Sequence, residues 1–287
     1  MDRKFLFIGD GDNVLKHMGG VGVNLVAALV PEHLLELTTS LEIPRVDKIS
    51  NPEGAQSFIQ NSDFDVLICC GFPYRLPDDL LKHRDRTFLN VHPSCLPALA
   101  GPFPVCGAIL QGEGAGATLH VMSSEIDKGP IIARESLEVT EEMDLGILHH
   151  MVCHAQLRVF DRGLERDFAP DYTIDVDIEK ASYFKIEEGA LEIDFSLPVN
   201  EIVKQVRAFS TRSIGARFRF KSSWFFVFTA DYFENDYMSK MHEKLPNGEV
   251  VCIYDGKIVI KFSKGFLRLG EVQTQDGNLQ VGDRLLS

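Results

Sequence analysis

No stretch of the sequence approaches the roughly 18 consecutive apolar residues that identify a membrane-spanning helix, so neither a transmembrane helix nor a membrane partner is expected. No Cys-x-x-Cys pair occurs among the six cysteines, which are Cys69, Cys70, Cys95, Cys106, Cys153 and Cys252. Adjacent strand residues such as Cys69 and Cys70 point to opposite faces and bridge poorly. The reading is therefore reduced thiols in a cytoplasmic protein, not a disulfide framework. No run of Lys or Arg stands out, and the formal net charge is -13. That sign argues against broad, nonspecific binding to nucleic acid. The excess negative charge sits in the first part of the chain, because acids and bases nearly balance from Lys180 onward. A complete dinucleotide fingerprint is also lacking. Gly9-Asp10-Gly11 follows a strand-like run, but Val14 stands where the third glycine belongs, and Gly19-Gly20-Val21-Gly22 does not directly follow a strand. There is no internal repeat and no low-complexity segment.

What is present fits two globular domains. A length of 287 residues is long for one domain, and 45% hydrophobic content supplies a sizeable core without staples. Met1-Asp2-Arg3-Lys4 precedes only four apolar residues, with no cleavage-like sequence after them, so Phe5–Ile8 reads as a first strand and not as a signal peptide. Further strands are expected at Asp65–Cys70, Thr87–Val91, Ala117–Met122 and Pro130–Ala133. Helices are expected over Val21–Leu29, over Pro77–His83, and from a Thr140 cap with Glu141, Glu142 and Asp144 in its first turn to about Leu164. This alternation predicts an α/β fold with an open, mostly parallel sheet and helices on both faces. Polar residues Asp167–Ala181 read as a linker, giving domains 1–178 and 179–287. Beyond it, a helix from Pro198 to Phe209 precedes short strands at Ala216–Phe220, Trp224–Thr229, Glu249–Tyr254, Lys257–Phe262 and Phe266–Val272. Their Asn-Gly, Asp-Gly and Lys-Gly turns predict a small β-barrel or meander.

The chemistry is concentrated in Asn90-Val91-His92-Pro93-Ser94. Period-two geometry puts Asn90 and His92 on one face, and Pro93 ends the ladder. An amide and an imidazole then sit together at the carboxyl edge of a sheet, where open α/β folds bind ligands. An amide can donate to a developing oxyanion and a histidine can exchange a proton near neutral pH. The same pair can also merely satisfy a strand-to-loop turn.

Asn90-Val91-His92-Pro93-Ser94-Cys95-Leu96-Pro97, then Gly101-Pro102, then Gly116-Ala117-Thr118-Leu119-His120, then Ile126-Asp127-Lys128-Gly129-Pro130-Ile131-Ile132 resembles the folate-dependent formyltransferase family. The resemblance implies a Rossmann-like catalytic domain, N10-formyltetrahydrofolate as cosubstrate, no metal, and a catalytic trio of Asn90, His92 and Asp127. Gly71-Phe72-Pro73-Tyr74-Arg75-Leu76-Pro77 resembles the family's pterin-gripping loop, which makes Phe72, Tyr74, Arg75, Leu76, Pro77 and Asp127 the expected folate contacts. Gly9, Asp10, Gly11, Gly101, Pro102 and His120 are expected on the substrate side. Glu192-Ile193-Asp194-Phe195, Val206-Arg207-Ala208-Phe209, Gly215-Ala216 and Leu267-Arg268-Leu269-Gly270-Glu271-Val272 are similar to the C-terminal, OB-like domain of the methionyl-tRNA formyltransferase branch.

The acceptor is open at this level. Members of this layout act on initiator tRNA, on nucleotide-linked amino sugars, or on amines in natural-product assembly. Where methionyl-tRNA and several amino-sugar members carry a basic residue after the Leu-Pro pair, this chain has Ala98-Leu99-Ala100-Gly101. That departure, with the acidity, favours a nucleotide-linked amino sugar over tRNA. A catalytically silent binding module and hydrolysis of the formyl carrier are the rivals. His150 and His154 have i, i+4 spacing, but no His-Glu-x-x-His motif and no third ligand accompany them, so a helix face is the reading. Trp224-Phe225-Phe226-Val227-Phe228 is aromatic on both strand faces, one for the core and one for a homodimer contact or a stacked base.

Overall fold

The computed structural model describes residues 3–286; Met1 and Asp2, which open the charged N-terminal stretch, and Ser287 lie outside them. Two compact units divide the chain. The first holds the chain up to Pro104, Gly114–Glu138 and His150–Phe184; the second holds Val105–Glu113, Val139–His149 and the chain from Lys185 onward.

In chain order the elements are β1 (Lys4–Gly9), α1 (Asp12–Gly20), β2 (Asn24–Val30), α2 (Leu35–Ser40), β3 (Arg45–Lys48), α3 (Pro52–Gln60), β4 (Val66–Cys70), α4 (Asp78–Leu81), β5 (Thr87–His92), α5 (Pro104–Gln111), β6 (Gly116–Val121), β7 (Ile131–Ser136) and α6 (Leu145–Glu165). The seven strands form one sheet in the order β3-β2-β1-β4-β5-β6-β7. Strands β1 to β5 pair in parallel, whereas β6 and β7 run antiparallel. The expected open, mostly parallel, Rossmann-like sheet is thus present. The strands alternate between two cores. Phe5, Phe7, Val66, Ile68, Leu89 and Val91 face one with Val159 and Phe160 of α6. Leu6, Ile8, Leu67, Cys69 and Phe88 face the other with Phe58 and Ile59 of α3. Phe7 is fully buried. Phe7→Ala is expected to lower unfolding free energy by about 3–5 kcal/mol, read from the shift of the urea midpoint at unchanged m-value.

Two expectations for the elements up to α6 need correction. Val21–Leu29 is not a helix: α1 precedes it, and Asn24–Val30 is β2, whose last four residues are all buried. A strand buried on both faces is a continuous apolar run, which periodicity alone does not separate from a helical stretch. The long helix begins at Leu145 and not at Thr140. Asp144 is its cap, accepting from the Ile147 amide at 2.9 Å, and Thr140–Asp144 form a turn before it. Helix α3 lay outside the expected elements. Asn51 caps it through the Gly54 amide and Pro52 opens it.

The second unit continues with α7 (Val199–Ala208), β8 (Ala216–Phe220), β9 (Ser223–Val227), β10 (Thr229–Phe233), α8 (Asp236–Met241), β11 (Val250–Tyr254), β12 (Lys257–Lys261), β13 (Phe266–Gly270) and β14 (Gln273–Thr274). Helix α7 buries Ile202, Val203 and Val206 at 3–4-residue spacing. The strands make two antiparallel sheets, β10-β13-β12-β11 and β14-β9-β8. The expected single strand Trp224–Thr229 is in fact two, because the chain leaves one sheet for the other at Phe228. Such a switch turns the corner of a small β architecture. Phe218 and Phe225 stack at 5.1 Å across the β8–β9 hairpin. Among the described residues no helix is long and apolar enough to cross a membrane.

Candidate active site

On β5 the period-two face shared by Phe88 continues through Asn90 to His92, past the end of the core that Phe88 packs in. Parallel pairing aligns Asn90 with Cys69 of β4. Pairing with β6 aligns Asn90 with His120 and His92 with Thr118. Directly opposed residues share a face, so His120 meets Asn90 side chain to side chain. His120 therefore belongs to the same constellation as the two β5 residues.

The β6–β7 loop delivers the carboxylate. Asp127 has φ +56°, in the left-handed region that Asp and Asn tolerate better than most residues. Gly129 follows, where any Cβ would overlap the Val121 carbonyl, so only glycine lets the loop turn so close to β6. The Asp127 carboxylate is 8% exposed and lies 3.7 Å from both His92 Nδ1 and His120 Nε2. Its Oδ2 accepts from the Gly101 amide at 3.1 Å, and its Oδ1 from the Asn90 amide at 3.4 Å.

Hydrogen-bond partners set the protons on both imidazoles. His92 Nε2–H donates to the Leu99 carbonyl at 3.1 Å, which leaves Nδ1 bare toward Asp127. His120 Nδ1–H donates to the Val121 carbonyl at 3.1 Å, so His120 Nε2 accepts from Asn90 Nδ2 at 3.2 Å. Burial lowers the His92 pKa from its ordinary 6.5 and outweighs the opposing pull of Asp127 and the Leu99 carbonyl. Burial and the neighbouring His92 likewise lower that of His120, against the pull of Asp127. Both rings are neutral at pH 7. The arrangement offers an amide donor, a bare imidazole nitrogen and an anion within reach of one another. The Cys69 thiol lines the same cavity, but burial pushes it up to about 12, which removes it as a nucleophile at neutral pH.

These groups open into a cavity of about 470 Å³, a size suited to a cofactor-sized ligand. One rim is Gly71–Leu76, where Phe72 and Tyr74 pack edge to face at 5.6 Å. Arg75 bonds the Ser124 carbonyl at 2.7 Å and Asp78 at 3.0 Å, tying this rim to the loop of Asp127. The other rim holds Gly101, Pro102, Pro104 and Tyr183. Of the residues singled out in the sequence, Pro77 stands off the cavity as the cap of α4. Gly9, Asp10 and Gly11 also lie off it. The amides of Asp10 and Gly11 both donate to the Cys70 carbonyl, at 2.9 and 3.1 Å, and Asp10 pairs with His33 at 2.9 Å. Those N–H groups are thus spent on the β1–β4 switch point and not offered to a phosphate. His149, His150 and His154 lie on an exposed face of α6.

Two contributors escaped the sequence reading. The Leu99 carbonyl orients His92, and Tyr183 borders the cavity just beyond the expected linker. Neither has a local signature: the Leu99 carbonyl reaches His92 through the path of the intervening loop, and Tyr183 borders that loop from a segment more than 80 residues away.

Residues 39–162 match the family model for formyl transferase and residues 185–286 match the formyl transferase C-terminal domain. A methionyl-tRNA formyltransferase of Sulfurihydrogenibium sp. is 28% identical over 180 residues, covering 60% of this chain and 56% of the relative. One from Chromobacterium violaceum is 26% identical over 67% of this chain and 62% of the relative. The alignments thus span about three fifths of these curated relatives. Among solved structures, the N-formyltransferase of Helicobacter canadensis, in complex with folinic acid and dTDP-3-aminofucose, superposes with TM-score 0.67 at 17% identity over 95% of this chain and 100% of that one. HypX from Aquifex aeolicus, in complex with tetrahydrofolic acid, gives TM-score 0.68 at 20% identity over 96% of this chain and 45% of that one. Both match in fold. With both family domains in place along most of its length, the chain belongs to the formyltransferase family.

Proposed function

We propose that the protein transfers a formyl group from N10-formyltetrahydrofolate to the primary amine of a nucleotide-linked amino sugar. The observation that carries this reading is the convergence of Asn90, His92 and Asp127 at the floor of one cavity. The folate supplies an activated formyl carbon when bound, and the rim of Phe72–Leu76, with its aromatic pair, fits its flat ring system. Asn90 Nδ2–H stabilises the charge that develops on the formyl oxygen. His92 Nδ1, bare and neutral, takes the proton that the attacking amine must lose as the new C–N bond forms. Asp127 stabilises the resulting imidazolium. Its Oδ1 stands 3.7 Å from His92 Nδ1, so both atoms can reach one water molecule through which the proton passes to the departing folate nitrogen.

Three observations support a small acceptor over tRNA. The net charge is -13, Ala98 replaces the basic residue after Leu-Pro, and Arg75, the one guanidinium lining the cavity among the described residues, is bonded to Asp78 and Ser124. Docking a tRNA acceptor arm requires many phosphate contacts, whereas a nucleotide sugar presents only two phosphates. The fold of the H. canadensis N-formyltransferase, solved in complex with dTDP-3-aminofucose, also matches over that protein's full length. Purified protein with N10-formyltetrahydrofolate would be offered dTDP-3-aminofucose, a 4-amino counterpart, methionyl-tRNA and ornithine. Formylation of a nucleotide sugar alone is expected; consumption only with methionyl-tRNA or ornithine overturns the acceptor assignment.

The lowered His92 pKa sets the pH dependence. The neutral base persists below the ordinary 6.5 and is lost only as pH falls through the lowered value. The acid limb that the enzyme itself contributes to kcat/KM, once the titration of the acceptor amine is divided out, is therefore expected below pH 6.5. A limb centred above 6.5 contradicts His92 as the base.

A further inference from the structure

Tyr183 stands on a segment strapped to the loop that steadies Asp127. Ser182 N donates to the Pro97 carbonyl at 3.2 Å, Ala100 N to the Ser182 carbonyl at 2.9 Å, and Phe184 N to the Ala100 carbonyl at 2.8 Å. The Ser182 hydroxyl accepts from Leu99 N at 2.9 Å. None of these bonds uses the Tyr183 side chain, so the strap holds whatever residue occupies that position. The residue is 60% exposed, yet it lines the cavity. It lies against Gly101. A Cβ there would meet the ring Cε2 at 2.8 Å and the Phe184 carbonyl at 2.6 Å, and the residue has φ +108°. Glycine is thus what admits the ring. The Gly101 amide in turn holds Asp127 Oδ2 at 3.1 Å, which places an exposed aromatic one residue from the carboxylate of the site.

Single exposed apolar side chains are ordinary on protein surfaces. What sets Tyr183 apart is its place on the rim opposite Phe72–Leu76, a rim otherwise built of Gly101, Pro102 and Pro104 and lacking any charged side chain. Recognition on that rim comes from backbone and from the flat ring. The geometry points to Tyr183 as an acceptor-side specificity residue, on which the C–H face of the amine-bearing ring of a cyclic acceptor stacks. This inference rests on the proposed function and adds which part of the acceptor is read, and by what.

The test compares wild type, Tyr183→Ala and Tyr183→Phe in steady-state turnover with N10-formyltetrahydrofolate and dTDP-3-aminofucose. In Tyr183→Ala the KM for the amino sugar should rise about tenfold, with kcat and the KM for the folate nearly unchanged. Tyr183→Phe should restore the wild-type value, because the ring and not the hydroxyl does the stacking. Thermal unfolding of both variants should match wild type, as the side chain is largely exposed. An unchanged acceptor KM in Tyr183→Ala, or a rise in the folate KM instead, overturns the inference while leaving formyl transfer standing. Turnover of acyclic amines alone also overturns it. Absence of any formyl transfer by the wild type defeats the proposed function itself.

Discussion

Asn90→Ala is expected to lower kcat/KM for formyl transfer by about 10²–10³-fold, the usual cost of removing one oxyanion donor, with thermal stability close to wild type. The Asn90 amide has two N–H groups. One is held by His120 Nε2 at 3.2 Å; the other faces Asp127 Oδ1 at a long 3.4 Å. The first bond fixes the plane of the amide, and the second is weak enough to be exchanged for a charge developing on a bound formyl oxygen. Asn90→Asp is the sharper variant. It preserves size but places a second carboxylate beside Asp127, so it should be at least as inactive as alanine. Activity of Asn90→Ala within a few-fold of wild type would remove the amide from the mechanism.

Asp127→Asn carries the second large effect, a fall of about 10²–10⁴-fold, the range of general acid–base contributions. Asparagine tolerates the φ of +56° at this position as well as aspartate does, and its carbonyl can still accept from Gly101. What is lost is the charge. Asp127 raises the His92 pKa against burial, so removing it lowers that pKa further. The acid limb of the residual activity should move to lower pH. A limb that stays in place, with activity near wild type, would show that the carboxylate only braces the loop. Asp127→Ala is less informative, because it combines charge loss with a left-handed backbone that alanine disfavours.

The parts of this site that were legible in the sequence are those written in short range. Alternation along β5 places Asn90 with His92, and Pro93 marks the strand end. The pairing of His120 with Asn90 was not legible, because it follows from the antiparallel register of β6, a non-local property. The same holds for Tyr183 beside Gly101, while the Leu99 carbonyl under His92 follows from the path of the loop after β5. Element type failed where local chemistry was ambiguous. The run Leu25–Val30 is apolar throughout because β2 is covered on both faces, so it carries no alternation to read. Thr140 and Asp144 can both cap a helix, and only the onset of burial at Leu145 and Leu148 chooses between them. In the second unit, β9 and β10 are separated by a single residue, Phe228, so one apolar run conceals two strands.

Transfer by Asn90 and its neighbours is tested by following the formyl carbon itself. Folate carrying an isotope-labelled formyl group is mixed with wild type or Asn90→Ala in a single turnover with dTDP-3-aminofucose, and the label is located by mass spectrometry. Label is expected on the amino nitrogen of the sugar with wild type, and essentially none with the variant. Label released as free formate by wild type, or equal transfer by both proteins, would contradict it.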